Sequence, residues 1–153
     1  MSIVQVADAP ARYTPPHAFR DGEAGDRGYI IDTWLQTYRR SPFASKLPDF
    51  AYWSRFGHVG VVEAMVDAGR LLVCTLPEGG SWMYGWLCCD GLGALHYLFV
   101  RDEFRGQGMG RALLNHFGFG DGRLVVTHLT TDFSRGLGRG RDVRFVNPYR
   151  KAA

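Results

Sequence analysis

Between Arg101 and Arg111 the chain runs RDEFRGQGMGR, and Gly106, Gly108 and Gly110 alternate there with Gln107 and Met109. Glycines let a backbone come close to whatever lies beside it. Placed just ahead of a helix, they aim successive N–H groups at one spot, where the helix dipole adds partial positive charge. That is anion-binding chemistry, and Arg105 and Arg111 supplement it. The apolar run ALHYLFV precedes the turn and ALLNHF follows it, so the glycines join a strand to a helix. Two familiar phosphate patterns are excluded: a P-loop needs Gly-Lys-Ser/Thr, and the dinucleotide fingerprint needs a doubly wound domain with its glycines near the first strand. The segment predicts a pyrophosphate site, with a purely structural turn as the competing account.

The other reactive residue types say less. Cys74, Cys88 and Cys89 are odd in number and lack metal-ligand spacing, which predicts free thiols in a reducing cytoplasm and no metal. The net charge of +3 is uneven: from Arg135 to the end six basic residues face the single Asp142. This basic segment, 135–153, suits a cofactor phosphate, nucleic acid or plain solvation.

The elements that must position these residues fit one domain over 1–153, since 46% hydrophobic and 22% charged residues suffice for a single core. The N-terminus lacks a signal-peptide pattern and no run of eighteen apolar residues occurs, which predicts neither secretion nor a membrane span. A short strand is expected near SIVQVA, then a loop over 12–28 because Pro15, Pro16, Gly22 and Gly25 interrupt any long element. GYIIDTWLQTYRR has helical spacing and is closed by Pro42; SRFGHVGVVEAMVDAG predicts a second helix, its first turn weakened by Gly57 and Gly60, with Gly69 as its C-terminal cap. RLLVCTL, SWMYGWLCC and ALHYLFV predict an antiparallel meander with turns at PEGG and Asp90-Gly91. After the glycine turn and its helix, GRLVVTHLT is expected parallel to ALHYLFV across a right-handed crossover. A short helix near TDFSRGL and a last strand, DVRFVNP, complete the order.

LFVRDEFRGQGMGRALL resembles the acetyl-CoA signature of the GCN5-related N-acetyltransferase (GNAT) superfamily, Arg/Gln-x-x-Gly-x-Gly/Ala, here Arg105, Gly108 and Gly110. The resemblance implies an α/β fold with a mixed, mostly antiparallel central sheet and helices on both faces. It also implies acetyl-CoA as cofactor, with the pyrophosphate on the amides of Arg105, Gly106, Gln107, Gly108, Met109 and Gly110 beside Arg111. The pantetheine would run along Leu98, Phe99 and Val100 where two strands splay, and an amide near Val100 would meet the thioester carbonyl.

LHYLFVRDEFRGQG is also similar to the stretch of arylalkylamine N-acetyltransferases that carries a catalytic histidine, which implies His96 as base; simple packing between strands is the competing account. Many superfamily members carry a glutamate where this chain has Ala94. The tyrosine often used as acid is missing from TTDFSRGLGRG, which leaves Tyr149, Ser134 or water as the acid, with surface anchoring of the tail as the competing account for Tyr149. The acceptor groove of the superfamily lies along the first two helices, which implies Trp34, Tyr38, Tyr52 and Trp53 as substrate-binding residues, with core packing as the alternative for Trp34 and Tyr38. The expected acceptor is an amine of a small molecule or a protein, handled by a cytoplasmic monomer or homodimer without membrane partners. The alternative function is nucleic-acid modification or binding through the basic segment, because TWLQTYR with LHYLFV resembles bacteriophage-encoded acetyltransferase-like proteins, some of whose distant relatives modify DNA bases.

Overall fold

The computed structural model describes residues 14–120 and 122–148. Six strands form one sheet in sequence order: β1 (Ala18–Asp21), β2 (Arg70–Thr75), β3 (Met83–Cys89), β4 (Ala94–Val100), β5 (Arg123–Val126) and β6 (Asp142–Phe145). The first four pair antiparallel, whereas β4–β5 and β5–β6 pair parallel, so the sheet is mixed. Helices α1 (Arg27–Tyr38), α2 (Asp49–Trp53) and α3 (His58–Ala68) cover one face, and α4 (Met109–Phe117) with α5 (Thr131–Arg135) covers the other.

The sheet therefore separates two cores. On the α1 face Trp34, Tyr38, Tyr52, Trp86, Tyr97 and Phe99 make an aromatic layer; on the α4 face Leu72, Leu87, Leu95, Leu113, Leu114 and Leu124 make an aliphatic one. All seven residues of β3 are buried, as a central strand between two apolar layers requires. The meander is pinned at its last turn, where Asp90 Oδ1 accepts from the amides of Leu92 and Ala94, both at 2.8 Å.

Three local expectations change. SIVQVA lies outside the described residues, and the first described strand, β1, falls inside the segment expected to be a loop. Four residues are too few for a period to show, and β1 is specified by pairing with Leu72–Thr75 and by the two-pronged Arg20–Asp26 ion pair, 2.6 and 3.0 Å, which ties it to the start of α1. The second predicted helix, expected from Ser54, begins only at His58 as α3, and a separate short helix, α2, occupies the connection before it. Gly57 and Gly60 stand where α3 meets the preceding chain, since a Cβ would come within 1.9 Å of Ala51 O at the first and 2.0 Å of Arg55 O at the second. Gly69 does end α3, but with φ −89° rather than left-handed; it is small because a Cβ would crowd Met65 O at 2.5 Å and Cys89 O at 2.8 Å.

Histidines lie deep in this fold. His58 stacks between Tyr38 and Tyr52 at centroid distances of 5.2 and 5.0 Å, and His128 packs 5.1 Å from it. Burial lowers the His58 pKa to about 4, and burial, then the neighbouring His58 and His96, holds His128 well below 6.5. A histidine kept neutral in the fold stabilises it fully above pH 6.5, and that stability is lost as pH falls through the folded value. His58→Phe keeps a ring in the stack but removes the titration. The variant should lose about 3 kcal/mol less than the wild type between pH 7 and pH 4, measured by urea unfolding across that range. Identical acid limbs would show that His58 is not what loosens the fold.

Candidate functional site

Strands β4 and β5 part company early. They pair only through Ala94 and Leu95 opposite Val125 and Val126, and the Thr127 amide donates to Leu95 O at 3.1 Å as the last rung. On its other side β4 stays paired with β3 to Val100, and the Arg101 amide donates to Tyr84 O at 2.9 Å. Antiparallel pairs alternate between bonded and non-bonded. Counting back from Arg101, the N–H and C=O groups of Leu98 and Val100 point away from β3, into the gap. Arg105 Nε accordingly reaches Val100 O at 2.9 Å from that side.

A cleft of about 1260 Å³ fills this gap. Its walls come from α1, β4, the glycine turn, α4 and α5. Every residue expected to hold the cofactor lines it except Gln107, whose side chain turns back to Glu103 O at 3.3 Å. Gly106 (φ 76°) and Gly108 (φ 87°) are left-handed, which lets the chain double back into α4. Thr14 Oγ1 donates to Gln107 O at 2.6 Å and leaves no room for a Cβ on Gly108, which would lie 2.7 Å from that oxygen. Gly110 is small for another reason, since a Cβ there would meet Leu137 Cδ1 at 2.6 Å; the glycine brings α4 against the segment after α5.

Among the described residues four cations line the cleft, and one is committed. Arg105 Nη1 pairs with Asp102 at 2.9 Å and Asp132 at 3.6 Å while Nε holds Val100 O, so its guanidinium ties the end of β4 to the turn and to α5. Arg111 and Arg135 stand on the α4 face and Arg40 on the α1 face, none with an ion pair among the described residues. Arg139 and Arg144 of the basic segment are exposed and outside the lining.

The proton carriers are placed less simply. His96 is the extra residue of a bulge, since Cys88 opposes Tyr97 and Cys89 opposes Leu95; the strand alternation that put it on the face of Leu98 is interrupted there. It is 8% exposed and absent from the lining. Its Nδ1 lies 3.0 Å from Thr127 Oγ1, which lies 3.0 Å from His128 Nδ1. One hydroxyl hydrogen serves only one of them, so in the neutral network one imidazole donates at Nδ1 and the other accepts. Burial lowers the His96 pKa, partly offset by Asp90, so the imidazole is neutral at pH 7. Tyr149 lies outside the described residues.

The tyrosine that does line the cleft is Tyr97, which in the sequence is only the neighbour of His96. Thr37 Oγ1 gives its hydrogen to Thr33 O at 2.6 Å and so accepts from Tyr97 Oη at 2.8 Å. Burial raises the phenol to about 12 and keeps it protonated. None of the four expected substrate residues reaches the cleft: Trp34, Tyr38 and Tyr52 are wholly buried, and Trp53, 42% exposed, packs edge-on against Tyr52. Their helical stripe faces β3 and β4. The groove is lined instead by Thr37 at the end of α1 and by Arg40 and Ser41 in the turn that follows it. A second, smaller pocket of about 280 Å³ adjoins the cleft at Thr37, Phe99 and Arg105 and is lined by Tyr29, Asp32, Gln36 and Glu103.

No protein-family model matches the chain, and no curated protein matches it in sequence. Solved structures do match. The apo form of YjaB from Escherichia coli is 17% identical over 67% of this chain and 64% of its own, with a TM-score of 0.50. A GCN5-related N-acetyltransferase from Rhodopseudomonas palustris is 17% identical over 67% and 64%, TM-score 0.48. A ribosomal-protein-alanine N-acetyltransferase from Brucella melitensis biovar Abortus 2308 is 13% identical over 87% and 82%, TM-score 0.46. The chain spans 64% of the length of YjaB, and the likeness to it is one of fold alone.

Gly108→Ala and Gly140→Ala separate the backbone from the contact at the turn. Both positions are left-handed, φ 87° and 81°, but a Cβ meets nothing at Gly140. Each should cost about 1–2 kcal/mol of unfolding free energy in urea from the left-handed conformation, and Gly108→Ala should cost more because it also displaces Thr14. Equal losses would mean that the Thr14 contact does not fix the turn.

Proposed function

We propose that the chain is an acetyl-CoA-dependent N-acetyltransferase acting on an amine of a small molecule or protein. The observation that carries this is the joint placement, on one cleft, of the left-handed glycine turn and of Leu98 and Val100, two residues with no strand partner on the side of the gap. A pyrophosphate fits the first, and an extended chain bearing amides fits the second, because alternate strand residues repeat about every 6.7 Å. Arg111 and Arg135, without ion pairs among the described residues, stand on the same face and are assigned the remaining phosphate of the cofactor.

Bound acetyl-CoA supplies an acetyl group activated as a thioester; transfer breaks its C–S bond, forms a C–N bond, takes one proton from the amine and returns one to sulfur. The Val100 amide points into the gap and is fixed by β3 pairing and Arg105, so it is preorganised to donate to the thioester oxygen. His96 is the proposed base. Held by Thr127 and neutral at pH 7, it takes the amine proton through water, since its ring is set back from the lining. For the acid, Tyr97 is proposed beside Tyr149: its phenol carries its proton at neutral pH and lies on the cleft wall.

Acetyl-CoA at 100 times its dissociation constant should stabilise the fold by about 2.7 kcal/mol. Gly106→Glu tests the assignment, because a Cβ there meets nothing within 4 Å and the new carboxylate would stand on the turn assigned to the pyrophosphate, with Gly106→Ala as the control for strain at the left-handed φ of 76°. Thermal stabilisation by acetyl-CoA that survives this change unaltered would sink it.

The proton carriers separate kinetically. His96→Gln should lower turnover by roughly 10²–10⁴-fold with acetyl-CoA affinity intact and should remove the acid limb of the pH–rate profile. Tyr97→Phe should lower turnover while leaving that limb in place. Wild-type turnover in a folded His96→Gln variant would return the histidine to packing alone.

A further inference from the structure

Adjacent arginines at the end of α1 do different things. Arg39 is spent on the fold: it donates to Ala44 O at 2.6 Å, pairs with Asp49 at 2.7 Å and lies 4.8 Å over the Tyr52 ring. Arg40 is exposed, lines the cleft and has no ion pair or hydrogen bond among the described residues. The other unpaired cations of the cleft, Arg111 and Arg135, sit on the opposite face with the glycine turn. Among the described residues Arg40 is therefore the one uncommitted cation on the α1 side of the lining, three residues beyond Thr37 in the turn that follows the helix, and the Tyr97 phenol feels its charge after that of Arg105. Ser41, next in the lining, accepts the Ala44 amide at 3.1 Å and so fixes the backbone from which Arg40 projects.

We infer that Arg40 marks the acceptor end of the cleft and selects amines whose skeleton also carries an anionic oxygen group, a carboxylate or a phosphate. This rests on the acetyl-transfer reading. The cofactor approaches from the α4 face, so the acceptor must come from the α1 face to reach the same thioester at Val100. Among the described residues no carboxylate pairs with Arg40, and the two that line the cleft, Asp102 and Asp132, pair with Arg105. A guanidinium in a cleft wall offers two parallel donors to a carboxylate or phosphate, a match that an ammonium lacks. The small neighbouring pocket is lined by the carboxylates Asp32, Asp102 and Glu103 and would attract the opposite kind of acceptor.

The test uses two matched pairs of amines, tyrosine with tyramine and O-phosphoethanolamine with ethanolamine, acetylated by the full chain with acetyl-CoA and followed by mass detection of the N-acetyl product. The anionic member of at least one pair should have a kcat/KM about 10- to 100-fold higher, the span of one hydrogen-bonded charge pair. Which pair responds distinguishes carboxylate from phosphate. Arg40→Gln should abolish the preference without changing acetyl-CoA affinity, and Arg40→Lys should restore part of it. Equal rates within both pairs, a preference for tyramine or ethanolamine, or an Arg40→Gln variant that keeps the preference overturns the inference and leaves acetyl transfer standing. If none of the four is acetylated although acetyl-CoA binds, transfer to small amines falls. The inference is then decided by the Arg40 Nε–H resonance of the free protein titrated with acetate and with phosphate, where no shift with either overturns it.

Discussion

Everything at the cleft depends on β4 leaving β5 after a two-residue pairing while staying with β3 to its end. An internal strand edge of this kind is costly, because main-chain groups that lose a sheet partner still need one. The chain meets only part of that demand itself, through Arg105 on Val100 O. What keeps the gap from closing is rigidity on the other side. β3 is buried along its whole length, and Gly85 lets it approach β4 so closely that a Cβ would lie 2.2 Å from Phe99 O. β4 is thus held by β3 and cannot swing across.

The same geometry gives the two faces different work. Below the sheet, α4 is a short amphipathic helix whose buried side is Met109, Leu113 and Leu114, and its first turn is drawn in by Thr14 on Gln107 and by Leu137 against Gly110. Those contacts come from residues far apart in the chain, so the turn is shaped by tertiary packing as much as by glycine content. Above the sheet, the threonines of α1 carry the hydrogen bonds: Thr33 accepts the Trp86 indole at 2.9 Å and Thr37 accepts the Tyr97 phenol. They hold two large aromatic side chains in fixed orientations under the helix.

Legibility in the sequence followed the length of the pattern. ALHYLFV coincides with β4 because seven residues bounded by Asp90-Gly91 and the glycine turn leave little freedom. β1 and α2 escape a sequence reading because four or five residues show no period, and what specifies them, strand pairing for β1 and packing against α3, is not local. The turn from β4 into α4 was readable since glycines there have a backbone reason for their spacing, Gly106 and Gly108 being left-handed. The groove residues were not: Trp34, Tyr38 and Tyr52 attract attention by size, but size is what puts them in the core. The polar residues Thr37, Arg40 and Ser41 have no pattern of their own and become meaningful only once α1 is laid across β4. Likewise simple alternation places His96 on the face of Leu98, but a bulge at that residue breaks the alternation, and no sequence period announces it.

That bulge changes what the histidine is. In a regular strand a buried His96 would share its ladder partners with its neighbours; as the extra residue it is free to reach Thr127 across the last rung before the strands part. Thr127 in turn touches His128, whose environment rejects charge strongly. A proton arriving on His96 therefore has no favourable route inward, because His128 is the poorer base and is surrounded by Trp34, Tyr38 and Tyr97. The network orients His96 through one ring nitrogen without draining it, so any proton taken up at the other nitrogen must return the way it came. For the base proposed above, a histidine pair joined by one hydroxyl thus fixes the orientation of His96 through Nδ1 and leaves Nε2 as the nitrogen that would take the proton.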